Sequence, residues 1–237
     1  MSFKATTVSA LLAVTAFAAA APAQADGFYI STFAGLSFQE DQRNVRTEVI
    51  LAGPPTIDVT FDTGYFIGGS LGYAFDNVGI GGIRVELEYA YRENDVEAVF
   101  FPGPVRQLES RDNSSGSVML NAFYEFDTGV EWVRPYVGGG LGIAGVESDT
   151  VYAPPSGNRD NPTVEIGGST ETEFAYQFIA GFTVPVSEHW EAFIEGRYYE
   201  TGDPDFERIR LSDDALLARY DSEYSTWHGD IGIRYRF

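Results

Sequence analysis

The last fourteen residues, Tyr224–Phe237, read YSTWHGDIGIRYRF and decide how the rest of the chain is read. Side chains of an extended strand point alternately to opposite faces. Trp227, Gly229, Ile231, Ile233, Tyr235 and Phe237 therefore share one face, and Thr226, His228, Asp230, Gly232, Arg234 and Arg236 share the other. One face is apolar and the other charged. A soluble sheet produces the same alternation, but it rarely closes a chain on a bare aromatic residue, where fraying favours polar side chains.

The spacing Asp230-x-Gly232-x-x-Tyr235-x-Phe237 resembles the terminal assembly signal of bacterial outer-membrane barrels. That resemblance implies recognition by the barrel-assembly machinery during biogenesis. At the other end, residues 1–25 read as a cleaved signal peptide. Lys4 supplies the positive start, Val8 to Ala21 the apolar run, and Ala23-Gln24-Ala25 the small-x-small site, with cleavage between Ala25 and Asp26. The run is too short for a membrane-spanning helix, which needs about 20 apolar residues. Residues 26–237 are then one β-type domain.

Composition excludes several classes. The formal charge is −20, and without Lys4 the mature chain carries 14 basic against 35 acidic residues. Nucleic-acid binding depends on Lys and Arg neutralising phosphates, so nucleic acid is not an expected partner. The pattern is also not that of a basic membrane-surface segment. With 44% hydrophobic and 15% aromatic residues the chain is too apolar to be disordered. It has no cysteine, hence no disulfide and no thiol for lipid attachment.

Working back from the terminal stretch, seven more segments alternate in the same way. The first, 27–38, carries Phe28, Ile30, Leu36 and Phe38 on one face. The second, about 60–75, carries Phe61, Tyr65, Ile67, Leu71, Tyr73 and Phe75. The others run over about 83–91, 115–127, 133–146, 173–186 and 190–201. Connections alternate too. Short turns follow the second, fourth and sixth segments, and long stretches at 39–59, 97–114, 147–171 and 202–223 follow the odd ones. Short turns at one end and long loops at the other mark an outer-membrane barrel, whose long loops face outside. Each segment reaches the 9–11 residues or so that a tilted spanning strand needs. Aromatic residues such as Phe61, Trp190 and Trp227 near the segment ends suit interfacial girdles. The expected fold is all-β: an eight-stranded antiparallel transmembrane up-and-down barrel. A soluble exported sandwich is the alternative.

Five further fragments, in order along the chain, resemble the eight-stranded opacity-protein and OmpA-like barrels. They are Ala25-Asp-Gly-Phe-Tyr29, Ser117–Tyr124, Arg134-Pro-Tyr-Val-Gly-Gly-Gly-Leu-Gly142, Tyr176–Gly181 and Arg197-Tyr-Tyr199. The resemblance implies outer-membrane lipid and lipopolysaccharide as surroundings, and a role as adhesin, surface antigen or envelope-stabilising barrel. An extracellular ligand would meet the four long loops. Nothing corresponds to the peptidoglycan-binding domain of OmpA itself.

The charged face defines the candidate site. Arg84, Glu86, Glu88, Arg92, Glu125, Glu191, Glu195, Arg197, Arg234 and Arg236 are all expected to point inward. An eight-stranded barrel is just wide enough for side chains to fill it. Buried charges must pair, so a salt-bridged plug is expected, with a narrow ion path as the alternative. Gly138, Gly140 and Gly142 are expected to make room for the long charged chains. Hydrolysis is the competing chemistry, since His228 and Asp230 lie on one face and an Asp–His pair activates water. With His228 inward, Ser225 outward and His189 in a short turn, the residues do not assemble a nucleophilic site, and no enzyme is expected. No cofactor is implied. The acidic stretches 147–171 and 202–223 contain no Asp-x-Asp-x-Asp-Gly loop, so no metal site is assigned to them.

Overall fold

A computed structural model describes residues 27–50, 56–78, 81–101, 105–106, 110–130, 132–152, 164–202, 205–221 and 224–237. The expected signal peptide and its cleavage site lie outside the described residues. Among the described residues fourteen strands run in order: β1 (Phe28–Gln39), β2 (Gln42–Val49), β3 (Thr56–Phe61), β4 (Gly64–Val78), β5 (Gly81–Asn94), β6 (Val96–Phe101), β7 (Val105–Arg106), β8 (Ser110–Phe126), β9 (Arg134–Tyr152), β10 (Val164–Pro185), β11 (Trp190–Thr201), β12 (Asp205–Arg210), β13 (Ala215–Asp221) and β14 (Ser225–Arg236).

Eight of them close a barrel in the order β1-β4-β5-β8-β9-β10-β11-β14. The terminal stretch makes the closure. β14 pairs antiparallel with β1 (Ala34 opposite Ile231) and with β11 (Ile194 opposite Ile231). The chain end is fastened as well, since the Phe237 N–H donates to the Phe28 carbonyl at 3.0 Å. Closure pairs the backbone groups that an open sheet would expose to lipid.

Burial runs opposite to that of a water-soluble protein. Leu120, Ile231 and Phe178 on the outer face are 60–66% exposed, whereas Arg92 and Glu88 inside are 0–1% exposed. The alternation expected from the sequence is present; the solvent on the apolar side is lipid. Aromatic rings cluster at both rims of this band. Phe28 and Tyr73, Tyr124 and Phe126, and Trp190 and Tyr235 pack at 4.8–5.0 Å at the short-turn rim. Tyr198 and Trp227 (4.9 Å) and Tyr65 and Tyr91 (6.1 Å) mark the other rim. There the Tyr65 and Tyr91 hydroxyls donate to Glu93, and the Trp227 indole donates to Glu40 at 3.0 Å, placing carboxylates at headgroup level. From Trp227 to Tyr235 is about 27 Å of strand, or ~20 Å of height at a ~40° tilt, close to the ~25 Å apolar band of such barrels.

The long connections differ from expectation. They are not open loops. β2, β3, β6, β7, β12 and β13 lie within them, and β8, β9 and β10 begin or continue there. The sheet runs on in the order β10-β12-β13-β2-β3-β6-β7. β10 has 22 residues, roughly 73 Å at 3.3 Å per residue, so about half of it projects beyond a membrane. The second expected segment divides accordingly. Residues 56–61 form β3 outside the band, and the spanning strand starts at Gly64. Phe61 is therefore no girdle residue. It packs against an interior cluster that includes Val59, Val146, Val164, Leu217 and Tyr224. Ser225, expected to face outward, is buried as well.

Candidate functional site in the barrel lumen

All ten charged residues of the expected cluster point into the barrel, and they are arranged in storeys. The lowest lies at the short-turn end. Arg84 sits between Glu86 (2.9 Å) and Glu125 (3.2 Å), and Arg134 bridges Glu125 (2.9 Å) and Glu191. Arg234 meets Glu191 at 2.9 Å, and Arg236 reaches it at 3.7 Å. Tyr29 and Ser70 donate hydroxyl hydrogens to Glu86 at 2.6 and 2.8 Å. The guanidinium of Arg84 also stacks against Phe123 (4.6 Å) and Tyr136 (4.8 Å). Such contacts contribute about 2 kcal/mol each when desolvated.

The middle storey is a hub. Arg197 binds Glu88 at 2.7 Å, Asp230 at 3.2 Å, and Glu195. Neutral donors add to these carboxylates: Tyr136 to Glu195 at 2.6 Å, Gln177 to Glu88 Oε1 at 3.2 Å, and Asn121 at 3.0 Å to the same Glu88 oxygen that Arg197 binds. Arg197 is roofed by Phe33 at 4.3 Å. Above it the storey changes character. Arg92 donates to Ser117 at 2.7 Å and otherwise lies against the rings of Tyr199 (3.7 Å) and Phe66 (4.8 Å).

The terminal motif has work to do inside this arrangement. Asp230 anchors Arg197. Gly232 leaves the space filled by Phe193, whose Cζ would lie 2.2 Å from any Cβ added there. Tyr235 packs between Trp190 and Phe237 at 4.9 and 5.3 Å. The inward glycines of β9 serve a different purpose from the one expected. Gly138 and Gly140 make room for Phe123 and Asn121 of β8, not for arginine or glutamate.

His228 is enclosed, 4% exposed, with its ring 4.5 Å from Phe66. Among the described residues neither of its ring nitrogens has a hydrogen-bond partner, and Asp230 is turned to Arg197. The two residues therefore form no catalytic pair. His189 is exposed in the turn between β10 and β11, its Nδ1 3.1 Å from the Arg236 carbonyl oxygen. Among the described residues no group of three or more His, Cys, Asp or Glu is placed to hold a metal ion. Reasoning from sequence misses two charged members of the network. Arg134 stands at the start of the segment 133–146 and shares the inward parity of Tyr136, but it falls outside the expected cluster. Asp230 reads as part of the terminal signal and not as a partner for arginine.

An apolar belt between aromatic rims, closed around a polar, ion-paired interior, defines a transmembrane β-barrel of the outer-membrane class. The chain belongs to the outer membrane protein beta-barrel domain family, which it matches over residues 9–237. Its fold is similar to that of Neisserial surface protein A, at 17% identity and TM-score 0.51, covering 90% of this chain and 98% of that one. It is also similar to a major outer membrane protein from Thermus thermophilus (12% identity, TM-score 0.53, covering 89% and 99%). The outer membrane protease OmpT from Escherichia coli is comparable (9% identity, TM-score 0.53, covering 90% and 97%). At these identities the likeness is one of fold. No curated protein matches the sequence.

Proposed function

We propose that this protein is an outer-membrane barrel with no catalytic role, which holds a stiff β-structured platform at the cell surface for interaction with an extracellular partner. One observation carries the reading. The sheet continues past the lipid band through β10, β12, β13, β2, β3 and β6, with Val59, Phe61, Val164 and Leu217 packed on one another. Loops are where recognition usually lives, and here a paired sheet holds them. In this class of barrel the long connections face outside and the short turns face the periplasm. The ion-paired storeys favour this reading over a narrow channel. The enclosed His228 and the engagement of Asp230 with Arg197 weigh against hydrolysis.

The test compares the full chain, reconstituted in vesicles, with a version trimmed of 42–61 and 205–221, on a panel of immobilised extracellular glycans and matrix proteins. Binding that trimming removes supports the platform. A steady, ion-selective conductance in planar bilayers, with no binding across the panel, would replace the platform with a channel.

A further inference from the structure

Five adjacent strands of the barrel, β11, β14, β1, β4 and β5, stop at the outer aromatic rim, and β12, β13, β2, β3 and β6 take up their lines beyond it. The pairing order is the same on both sides of the interruption. The rest of the wall is built differently. β8, β9 and β10 cross this level as single strands of 17, 19 and 22 residues. The β8–β9 ladder runs without a shift in register from Glu125 opposite Tyr136 to Ser110 opposite Val151. In the closed order β9 stands four strands from β1 in either direction, so the uninterrupted wall faces the middle of the interrupted one.

The seam is widest in register on the β1–β4–β5 side. The β1–β4 ladder ends at Ser37 opposite Gly64, and β2–β3 pairing resumes at Gln42 opposite Val59. Likewise β4–β5 ends at Tyr65 opposite Glu93, and β3–β6 resumes at Phe61 opposite Val96. Across this second gap the Asp62 N–H donates to the Asp95 carbonyl at 2.8 Å. Asn94, fully buried, clasps three strand lines. Its Nδ2 donates to the Ser37 carbonyl at 2.9 Å and the Asp62 carbonyl at 3.1 Å, and its Oδ1 accepts from the Ser37 hydroxyl at 2.6 Å. Asp41, Asp62 and Asp95 at the breaks are exposed, so peptide groups released by bending pass to water. A continuous paired strand resists bending, whereas a few residues between elements absorb the change in φ and ψ that a hinge needs. From this asymmetry we infer that the seam is a hinge line: the projecting half tilts as one body about the β8–β10 wall, and Asn94 is the clasp that limits how far the seam opens. The surface platform is thereby carried at a variable angle to the membrane. The inference concerns this motion and not what the platform binds, so its failure leaves that reading untouched.

Spin labels on the cysteine-free chain test it, by pulsed dipolar distance measurement on the full barrel in lipid nanodiscs with no partner present. One pair, Leu36→Cys with Glu48→Cys, straddles the seam along β1 and β2. The other, Val137→Cys with Glu147→Cys, runs up β9. All four side chains are exposed. Straight strands would separate the pairs by about 40 and about 33 Å, within reach of the method. The expected distance distribution is about twice as broad for the seam pair as for the β9 pair. Asn94→Leu should broaden the seam pair further and leave the β9 pair as it was, in a barrel shown to be folded by heat-modifiable migration. Asn94→Ser takes its place if Asn94→Leu does not fold. The inference is overturned if the seam pair is no broader than the β9 pair in the parent. It is equally overturned if the folded Asn94 variant leaves the seam pair unchanged or broadens both pairs alike.

Discussion

The membrane-embedded half of the barrel and the half that projects beyond it use one strand alternation in opposite senses. On β9, Ile143 faces lipid and is 58% exposed, while four residues later Glu147 lies on the same outer side and is exposed to water. On the inner side the trend reverses. Tyr136 borders the ion-paired storeys, whereas Val146 packs in the apolar cluster with Val164 and Leu217. A single strand thus crosses from a region that is polar inside and apolar outside to one that is apolar inside and polar outside. Side-chain parity is set by the backbone, and the surroundings decide which chemistry each face must carry.

If that contrast is right, the largest effect comes from the embedded interior. Arg197→Met removes the partner of three buried carboxylates and should cost about 3–5 kcal/mol in urea unfolding from lipid vesicles. A near-normal unfolding midpoint would mean that the carboxylates do not depend on Arg197. Next comes the embedded exterior, where Leu120→Arg places a charge in the apolar belt. The expected loss is about 2–4 kcal/mol in the same assay, as for a cation near the bilayer midplane.

The projecting half should respond differently in kind. Leu217→Ala deletes buried apolar volume from the outer cluster and should cost about 2 kcal/mol locally. Limited proteolysis should then cut the projecting strands faster while the spanning barrel keeps its heat-modifiable migration. Loss of both together would show the two halves to be one cooperative unit. The smallest effect belongs to the projecting exterior. Glu147→Lys should shift the urea midpoint by no more than about 0.5 kcal/mol equivalent, as ordinary surface substitutions do.

These expectations also mark how far the sequence can be read. Segments such as 115–127 and 190–201 are legible because lipid outside and ion pairs inside impose a strict two-residue period. The long connections are harder. The stretch 39–59 contains Gly53-Pro54-Pro55 and a break in alternation, so β2 and β3 look like loop. The two pair with each other, but the contacts that build them into the sheet are non-local: β2 joins β13, with Tyr220 opposite Thr47, and β3 joins β6. Residues far apart in sequence decide that sheet, and no local period announces it. Within the lumen, charge and parity are enough to find ten of the cluster. The uncharged partners Tyr29, Tyr136, Asn121 and Gln177 stay hidden because an inward hydroxyl or amide looks like any other inward side chain until its neighbour is known.

The central claim is that β9 passes from lipid into water between Ile143 and Glu147. Because the chain has no cysteine, single substitutions report this cleanly. Val137→Cys, Leu141→Cys, Ile143→Cys and Glu147→Cys would be expressed in turn, and intact cells exposed to a membrane-impermeant maleimide. The account predicts labelling at position 147 and protection at 137, 141 and 143. Labelling at 141 or 143 as strong as at 147 would put that face in water, and the transmembrane barrel would have to be abandoned.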